Sequence, residues 1–376
     1  MMIKIVRILA TLVLLFIAGS QAVPAQDSPE ARAKAAQLSR GWAAIAEANF
    51  GRAAELAAAM LREDPADHAA LAVGVAAAVG AGRPTEALDA YNQWQRRTSQ
   101  EDVFLLRPIA AGTLLAIAGG TDAGLAGEAL SRLATGDPAA ARAFLAAHPE
   151  GGAVFDPLRA SLGDKAAAAR IIGGLSATTG RERLLALNAA RGLAQVPVEA
   201  VTPLLSDPAP PVRAAAVETL ARVQGAEAAA TLRPLLADDD PWVRANAAVA
   251  LGRLGDGPAL DALSRMLASD AGDTVAMAAT VLKERGVDVS AAVERILADP
   301  NPLTRLSALP LVDPARADAL LREAARDRNP VIRATAGELL PAAAAGLPVL
   351  RQLLRDANPE VRLNAAAALL RPATGR

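Results

Sequence analysis

The segment LLADDDPWVR at residues 235–244 decides the fold, because the same arrangement recurs along the second half of the chain. Each copy opens on a pair of mostly apolar residues, with an Asp two or three positions further on. A β-branched residue stands five positions after that Asp, and in all but one copy an Arg follows it. The copies are LLSDPAPPVR (204–213), LLADDDPWVR (235–244), MLASDAGDTVA (266–276), ILADPNPLTR (296–305), AARDRNPVIR (324–333) and LLRDANPEVR (353–362).

One copy with its flanks predicts two helices joined by a turn. An Asp before a Pro-containing turn is typical of a helix start, since the carboxylate caps free N–H groups and Pro fits the first turn. The apolar residues from Val212 to Leu220 then fall on one helical face, and the preceding segment Ala226 to Leu236 is also helical in pattern. Such a hairpin of about 30 residues cannot bury its apolar face alone, so the sequence predicts a stack of hairpins. The glycines that separate the units are Gly225, Gly255, Gly286 and Gly346.

The recurring phrase resembles HEAT repeats, of the short HEAT-like kind first described in phycobilisome lyases, over roughly residues 181–371. The resemblance implies an all-α fold, a right-handed α-solenoid (superhelix) of stacked antiparallel helix hairpins. An earlier unit fits around Arg183. The repeat at 270–285 departs from the pattern because Ala276 stands where Arg is expected, and we expect a local break or bend at this joint.

Asp and Arg recur together in these repeats at a constant separation of six residues. Stacking would set each pair beside the next, and the HEAT resemblance implies bonds across neighbouring repeats. We interpret the set as a structural ladder, because a catalytic site would single out one position instead of repeating it. The ladder pairs are Asp207 with Arg213, Asp238 with Arg244, Asp299 with Arg305, Asp327 with Arg333, and Asp356 with Arg362.

One patch has more acidic and aromatic side chains than the repeat pattern requires. Asp239 and Asp240 add carboxylates beside the cap assigned to Asp238, and Trp242 follows them. An exposed Trp rimmed by charge is a common interface anchor, although a Trp folded over its own turn is the alternative. The candidate partner-binding residues are Asp239, Asp240, Trp242, Arg244 and Arg333. The early arginines of the second helices would favour acidic segments of a partner.

The first 25 residues, MMIKIVRILATLVLLFIAGSQAVPA, have the layout of a cleaved secretory signal. A basic start is followed by an apolar run, which is shorter than the ~20 residues of a membrane span, and then by small residues. We therefore expect export from a bacterial cytoplasm, to the periplasm or beyond. An uncleaved N-terminal anchor remains the alternative, and it would bring the only membrane contact.

The N-terminal third differs in composition from the repeats. Its aromatic residues are Trp42, Phe50, Tyr91, Trp94, Phe104, Phe144 and Phe155, whereas the repeat region has Trp242. The segments at 37–65 and 82–94 resemble tetratricopeptide (TPR) units, with turns at Gly51 and Gly82. The predicted domains are a signal at 1–25, a TPR-like region at 26–110, unassigned connecting helices at 111–180 and a HEAT-like domain at 181–376.

Composition excludes several kinds of site. The 376 residues carry 39 Lys+Arg and 40 Asp+Glu, so the formal net charge of −1 gives no reason to expect nucleic acid. The chain has no Cys, which excludes disulfides, thiolate metal sites and Cys nucleophiles. The two histidines, His68 and His148, are far apart in sequence and predict surface residues, not a metal site. No nucleophile elbow or phosphate loop appears, so we predict neither a cofactor nor an enzyme.

We therefore expect an exported, non-enzymatic scaffold that binds a protein or peptide partner along a solenoid surface. Two alternatives stay open: an envelope assembly factor tethered by an uncleaved N-terminal helix, and a lyase or cofactor-handling protein by analogy with the phycobilisome lyases. Homo-association is a further possibility. The last helix, Pro359 to Leu370, is apolar and lacks a polar capping helix after it, so a partner or a second copy would cover it.

Overall fold

The computed structural model describes residues 29–148, 155–268, 272–343 and 345–371. Within these ranges the chain forms α-helices and short 3₁₀ turns, and none of these residues lies in a β-strand. Successive helices pack side by side, so the prediction of an all-α solenoid of stacked helices is confirmed. The predicted signal at 1–25 and the repeat residue Asp270 lie outside the described residues. No helix in the described part of the chain combines the length and apolarity that a bilayer span requires.

Two compact units make up the structure, and their limits differ from the predicted domains. The discontinuous unit consists of the described residues of Met1–Leu158 and of Ala325–Arg376, and the central unit is Arg159–Ala324. The predicted boundary after residue 110 falls inside the helix Val103–Ala118, and the one after residue 180 falls inside the central unit. The predicted boundaries followed composition along the chain, whereas the discontinuous unit joins segments that are distant in sequence.

The first part of the discontinuous unit is a run of helices, each packed on the next. Gly82 forms the predicted turn with a φ of +73°, which glycine adopts at little cost. The turn predicted at Gly51 is wrong, because the side chain of Asn49 caps the following helix and places Gly51 inside its first turn. The helices are α1 (Pro29–Ala46), α2 (Phe50–Glu63), α3 (His68–Gly80), α4 (Pro84–Thr98), α5 (Val103–Ala118), α6 (Ala123–Gly136) and α7 (Pro138–Ala147).

The central unit contains the first HEAT-like hairpins. Their second helices, α10, α12, α14 and α16, pack against one another in chain order. Helix α8 (Asp156–Ser161) contains the boundary between the two units. The helices that follow it, some of them short, are α9 (Lys165–Gly174), α10 (Gly180–Ala190), α11 (Val198–Val201), α12 (Pro210–Gln224), α13 (Ala229–Leu232), α14 (Pro241–Arg253), α15 (Gly257–Met266), α16 (Gly272–Glu284), α17 (Ser290–Leu297), α18 (Pro302–Leu306) and α19 (Pro314–Ala324).

Two local features of these hairpins follow from Gly and Pro. Gly225, Gly255 and Gly286 all adopt positive φ where they separate the units. The helix predicted over 226–236 is broken into the 3₁₀ turn Gly225–Ala228, α13 and the 3₁₀ turn Arg233–Ala237. Pro234 explains the break in its second half, because Pro cannot donate the backbone hydrogen bond that a continuing helix needs.

The last helices, α20 (Pro330–Leu339), α21 (Leu347–Leu353) and α22 (Pro359–Leu370), belong to the discontinuous unit. Helix α22 packs against α5 and α6 as well as against α20, and residues 363–370 are all buried. Helix α6 approaches so closely that a Cβ on Gly136 would lie 2.4 Å from the Cβ of Leu370. The apolar face that we expected a partner or a second copy to cover is therefore covered by helices of the same chain.

Candidate interaction surface

Arginines of the second helices bond forward to the Asp of the next repeat. Arg213 donates to Asp238 through Nε and Nη2, over 2.9 and 2.7 Å. Arg333 makes the same two bonds to Asp356, over 2.7 and 3.0 Å. Arg183 of the earlier unit bonds Asp207 in this way, over 2.6 and 3.0 Å. Each bidentate pair joins two successive hairpins, and its planar geometry fixes their register.

The third nitrogen of the guanidinium holds the turn within the same repeat. Nη1 of Arg213 donates to the carbonyl oxygen of Asp207, six residues earlier, over 2.8 Å. The constant six-residue separation therefore reflects a main-chain contact, while the side-chain pairing runs to the next repeat. The equivalent bonds are Arg244 to Asp238 (2.6 Å), Arg305 to Asp299 (3.0 Å), Arg333 to Asp327 (2.9 Å) and Arg362 to Asp356 (2.7 Å).

The forward pairing changes around the irregular repeat. Ala276 is buried in α16 and has no guanidinium to offer Asp299. Arg305 bonds Glu323 over 2.9 Å, and the Oδ1 of Asp327 accepts from the backbone N–H of Asn329. The counterpart that the repeat spacing predicts for Arg244 is Asp270, which lies outside the described residues. The side-chain pairing thus differs from the predicted ladder in two places. Position 276 offers no arginine to Asp299, and Arg305 pairs with Glu323.

The caps of the second helices lie two residues later than predicted. Oδ1 of Asp238 accepts from the backbone N–H of Asp240, which forms a turn before the helix. The N-cap of α14 is Asp240 itself, whose Oδ1 accepts from the N–H groups of Trp242 and Val243. Asn301, Asn329 and Asn358 cap α18, α20 and α22 in the same way. Asp240 is therefore part of the repeat and not an additional acid, and Asp239 is the exposed carboxylate of this turn.

The arginines of these pairs carry the positive charge that we expected to attract an acidic partner, and they bond carboxylates of their own chain. The hydrogen bond from Arg183 lowers the pKa of Asp207, although burial acts in the opposite direction, and Arg213 does the same for Asp238. The side chains of Arg183 and Arg213 are each only 14% exposed. Their donors point at carboxylates and carbonyls of the chain, which argues against these two arginines as contacts for an acidic segment, while the prediction for the exposed Arg244 stays a prediction.

The second residue of several second helices presents an apolar side chain to solvent. Trp242 is 47% exposed, and Val331 and Leu303 are 49% and 37% exposed at the equivalent positions. All three follow a Pro in the first turn, immediately before the buried β-branched residue. The side chain of Asn246 donates to the main-chain carbonyl of Trp242 over 2.8 Å.

A second set of arginines was missed by the sequence argument. These residues donate to main-chain carbonyls at the C-terminal end of a neighbouring helix. Arg222 reaches the carbonyl of Ala190 over 3.2 Å, and Arg285 reaches that of Gly252 over 3.0 Å. In the discontinuous unit, Arg107 reaches the carbonyl of Arg371 over 3.2 Å. Arg222 and Arg285 each lie fifteen residues after the anchoring Asp of their repeat, Asp207 and Asp270, so the repeat spacing carried a signal for these two, whereas Arg107 lies outside the repeats.

The histidines lie apart and have local partners. Nε2 of His68 is 2.6 Å from Oδ2 of Asp102, and this hydrogen bond raises the pKa of His68 above its ordinary value. The Nδ1–H of His148 donates to the carbonyl of Phe144 over 2.9 Å, with the two rings stacked. Among the described residues no three or more His, Asp and Glu side chains converge as metal ligands would.

Comparison with known families identifies the repeats. A model of HEAT repeats matches residues 198–283, and a model of a single HEAT repeat matches residues 347–371. The chain therefore contains HEAT repeats, as the recurring phrase predicted. HEAT repeats typically mediate protein–protein interactions, and proteins built from them are generally non-enzymatic scaffolds. The TPR resemblance of the N-terminal helices and the analogy with lyases stay predictions.

The other comparisons are less informative. No curated protein matches the sequence. One solved structure, of an engineered protein from a structural genomics consortium, is 18% identical and covers 97% of this chain and 98% of its own. Its TM-score of 0.28 is too low to support a structural argument.

Proposed function

We propose that this chain, which contains HEAT repeats, is an exported scaffold that binds a protein partner through an exposed apolar residue in the first turn of a second helix, Trp242 of α14. Export is proposed from the basic, apolar and small-residue order of residues 1–25. The proposed role is not catalytic, because the recurring Asp and Arg side chains form hydrogen bonds that hold the fold together. The partner binds to the folded repeats and is not chemically changed by them.

The exposure of Trp242 is the observation that carries this proposal. A Trp with 47% of its surface in water forgoes much of the free energy that burial would contribute. The repeat does not require it, since Leu303 and Val331 occupy the equivalent position in other helices. Trp is among the residues most enriched at the energetic centres of interfaces, where it buries a large area with few rotatable bonds.

The surroundings of Trp242 suit a partner with little charge at the contact. Asp240 is used as the cap of α14, and Nη1 of Arg244 is bonded to the carbonyls of Asp238 and Asp239. The exposed sequence neighbours of Trp242 are Asp239, Pro241 and Arg244, which are acidic, apolar and basic in turn. A mixed rim of this kind is typical of an interface whose centre is apolar.

A capture experiment tests the proposal. The wild type, Trp242→Ala and Leu185→Ala are immobilised separately and exposed to the same envelope fraction, and the bound proteins are quantified by mass spectrometry. Leu185 is the matched control, because it is 59% exposed but lies in α10 outside the equivalent position. We expect a defined protein to be lost about tenfold with Trp242→Ala and kept with Leu185→Ala. Identical sets of bound proteins on all three would refute the proposal.

A further inference from the structure

The central unit contains a cleft between the end of α16, the helix α17 and the start of α19. Its volume is about 380 Å³, within the range of small ligand sites. The apolar lining is formed by Val289, Val293, Leu311 and Val312, and Val287 stands at the opening with 43% of its surface exposed. This cleft lies in the repeat that follows Ala276, where the side-chain ladder is interrupted.

A short helix explains why the lining is accessible. Helix α18 is only five residues long and ends at Leu306, and the chain continues through the 3₁₀ turn Leu309–Leu311. Pro310 cannot donate the hydrogen bond that a continuing helix would need. The turn carries Leu311 and Val312 into the cleft, and the Nζ of Lys283 donates to the carbonyl of Leu311 over 2.8 Å.

The charges around the cleft leave an acidic excess. Glu294 and Arg316 form a bidentate pair over 2.7 and 3.0 Å, so their charges offset each other. Lys283 is held by carbonyl oxygens, while Asp288 and Asp313 each use Oδ1 to accept a backbone N–H of the following helix. The lining thus has three carboxylates against two cations. Hydrogen bonds lower the pKa of both Asp288 and Asp313, which keeps them ionised near neutral pH.

We propose that this cleft binds an extended segment of the partner in which a branched aliphatic side chain stands next to Lys or Arg. The aliphatic side chain packs on the valines and Leu311, and the cation lies near Asp288 and Asp313. An acidic segment is disfavoured, because the cations of the lining already have partners within the chain. This inference rests on the proposed partner-binding function and adds a second contact, distinct from Trp242.

A methyl-detected NMR titration tests the inference on the whole folded chain, with Val and Leu methyl groups labelled. The probe is a synthetic pentapeptide, acetyl-Gly-Arg-Ile-Arg-Gly-amide. The controls replace both Arg with Asp, or Ile with Ser. We expect the Arg-Ile-Arg peptide to shift the methyl signals of Val289, Val293 and Leu311 at millimolar concentration, and both controls to bind at least several-fold more weakly. Equal binding of the Asp-Ile-Asp peptide would overturn the inference, as would shifts confined to methyl groups elsewhere.

A conservative variant separates the charge from the fold. Asp288→Asn with Asp313→Asn keeps a side-chain oxygen for each turn and removes two charges. We expect the Arg-Ile-Arg peptide to bind about threefold to tenfold more weakly to this variant, and added salt to weaken binding to the wild type. An unchanged affinity in the variant would overturn the inference. Trp242→Ala should leave peptide binding unchanged, so a failed titration beside a successful capture experiment would reject the cleft alone.

Discussion

The guanidinium of Arg213 crosses a repeat boundary and lies edge to edge with the carboxylate of Asp238, with N–O distances of 2.9 and 2.7 Å. The two side chains are 14% and 8% exposed, so neither is freely solvated. This planar contact between residues 25 positions apart thus helps to fix the register of two hairpins. We infer that the contact stabilises the fold and takes no part in recognition.

Replacing Arg213 by Ala should lower the free energy of unfolding by about 1–3 kcal/mol, because Asp238 loses its charged partner and the turn of Asp207 loses a donor. Urea denaturation followed by circular dichroism measures the change. Arg181→Ala is the control, since Arg181 is an exposed arginine of α10. A double-mutant cycle with Asp238→Asn isolates the pair. Strictly additive effects in the cycle would show that the pair contributes nothing.

Acid should destabilise the fold through the same pairs. The pKa values of Asp207, Asp238 and Asp356 are lowered in the folded chain by hydrogen bonds from arginines. Their stabilisation is therefore present above the unfolded-state pKa, about 3.9, and is lost as the pH falls through the folded-state values. The melting temperature of the wild type should fall steeply below about pH 4. Arg213→Ala should show a shallower fall over the same range, and parallel curves would contradict this assignment.

The close contact between Gly136 and Leu370 predicts that replacing glycine by Ala changes stability differently at Gly136 and at Gly51. A methyl group on Gly136 would meet the Cβ of Leu370 at 2.4 Å and its carbonyl oxygen at 2.8 Å, so Gly136→Ala should destabilise by about 1–3 kcal/mol. Gly51 lies in α2 with no atom within 4 Å of such a group, so Gly51→Ala should be neutral or stabilising. Thermal melts of both variants check the pair. Equal melting temperatures would mean that α22 does not pack on α6 as described.

The N-terminal sequence of the exported protein tests the proposed signal. Cleavage after Ala22 or Ala25 leaves a chain that begins at Val23 or Gln26. Intact-mass spectrometry of protein recovered from the envelope distinguishes these ends from an uncleaved chain. Retention of the apolar run would favour the tethered assembly factor over a free scaffold.

The repeats could be predicted because their internal spacing is regular. A buried β-branched residue and the following Arg recur with a Pro-containing turn, and each feature has a local physical cause. The position of the cap was missed because Asp238 and Asp240 both suit a helix start. Only the backbone shows that the first forms the turn and the second caps the helix.

Contacts between segments that are far apart in the sequence could not be predicted from the sequence. The sequence predicts that helix α22 is an uncovered end, because its composition does not indicate that it packs against α5. Arg351 illustrates the difficulty: it bonds Asn92 and Glu101 over 2.7 Å each, and no spacing rule connects these positions. The exposure of Trp242, by contrast, could be expected from its place in the first helical turn.

Site-specific photo-crosslinking at residue 242 tests the central claim most directly. A benzophenone amino acid is placed at Trp242 in one sample and at Leu185 in the other, and both proteins are irradiated in living cells. We predict that position 242 yields a discrete crosslinked species with one protein, and that position 185, which is exposed in α10, does not. Absence of any crosslink at 242, or the same products from both positions, would contradict the account of Trp242 as the anchor of a partner.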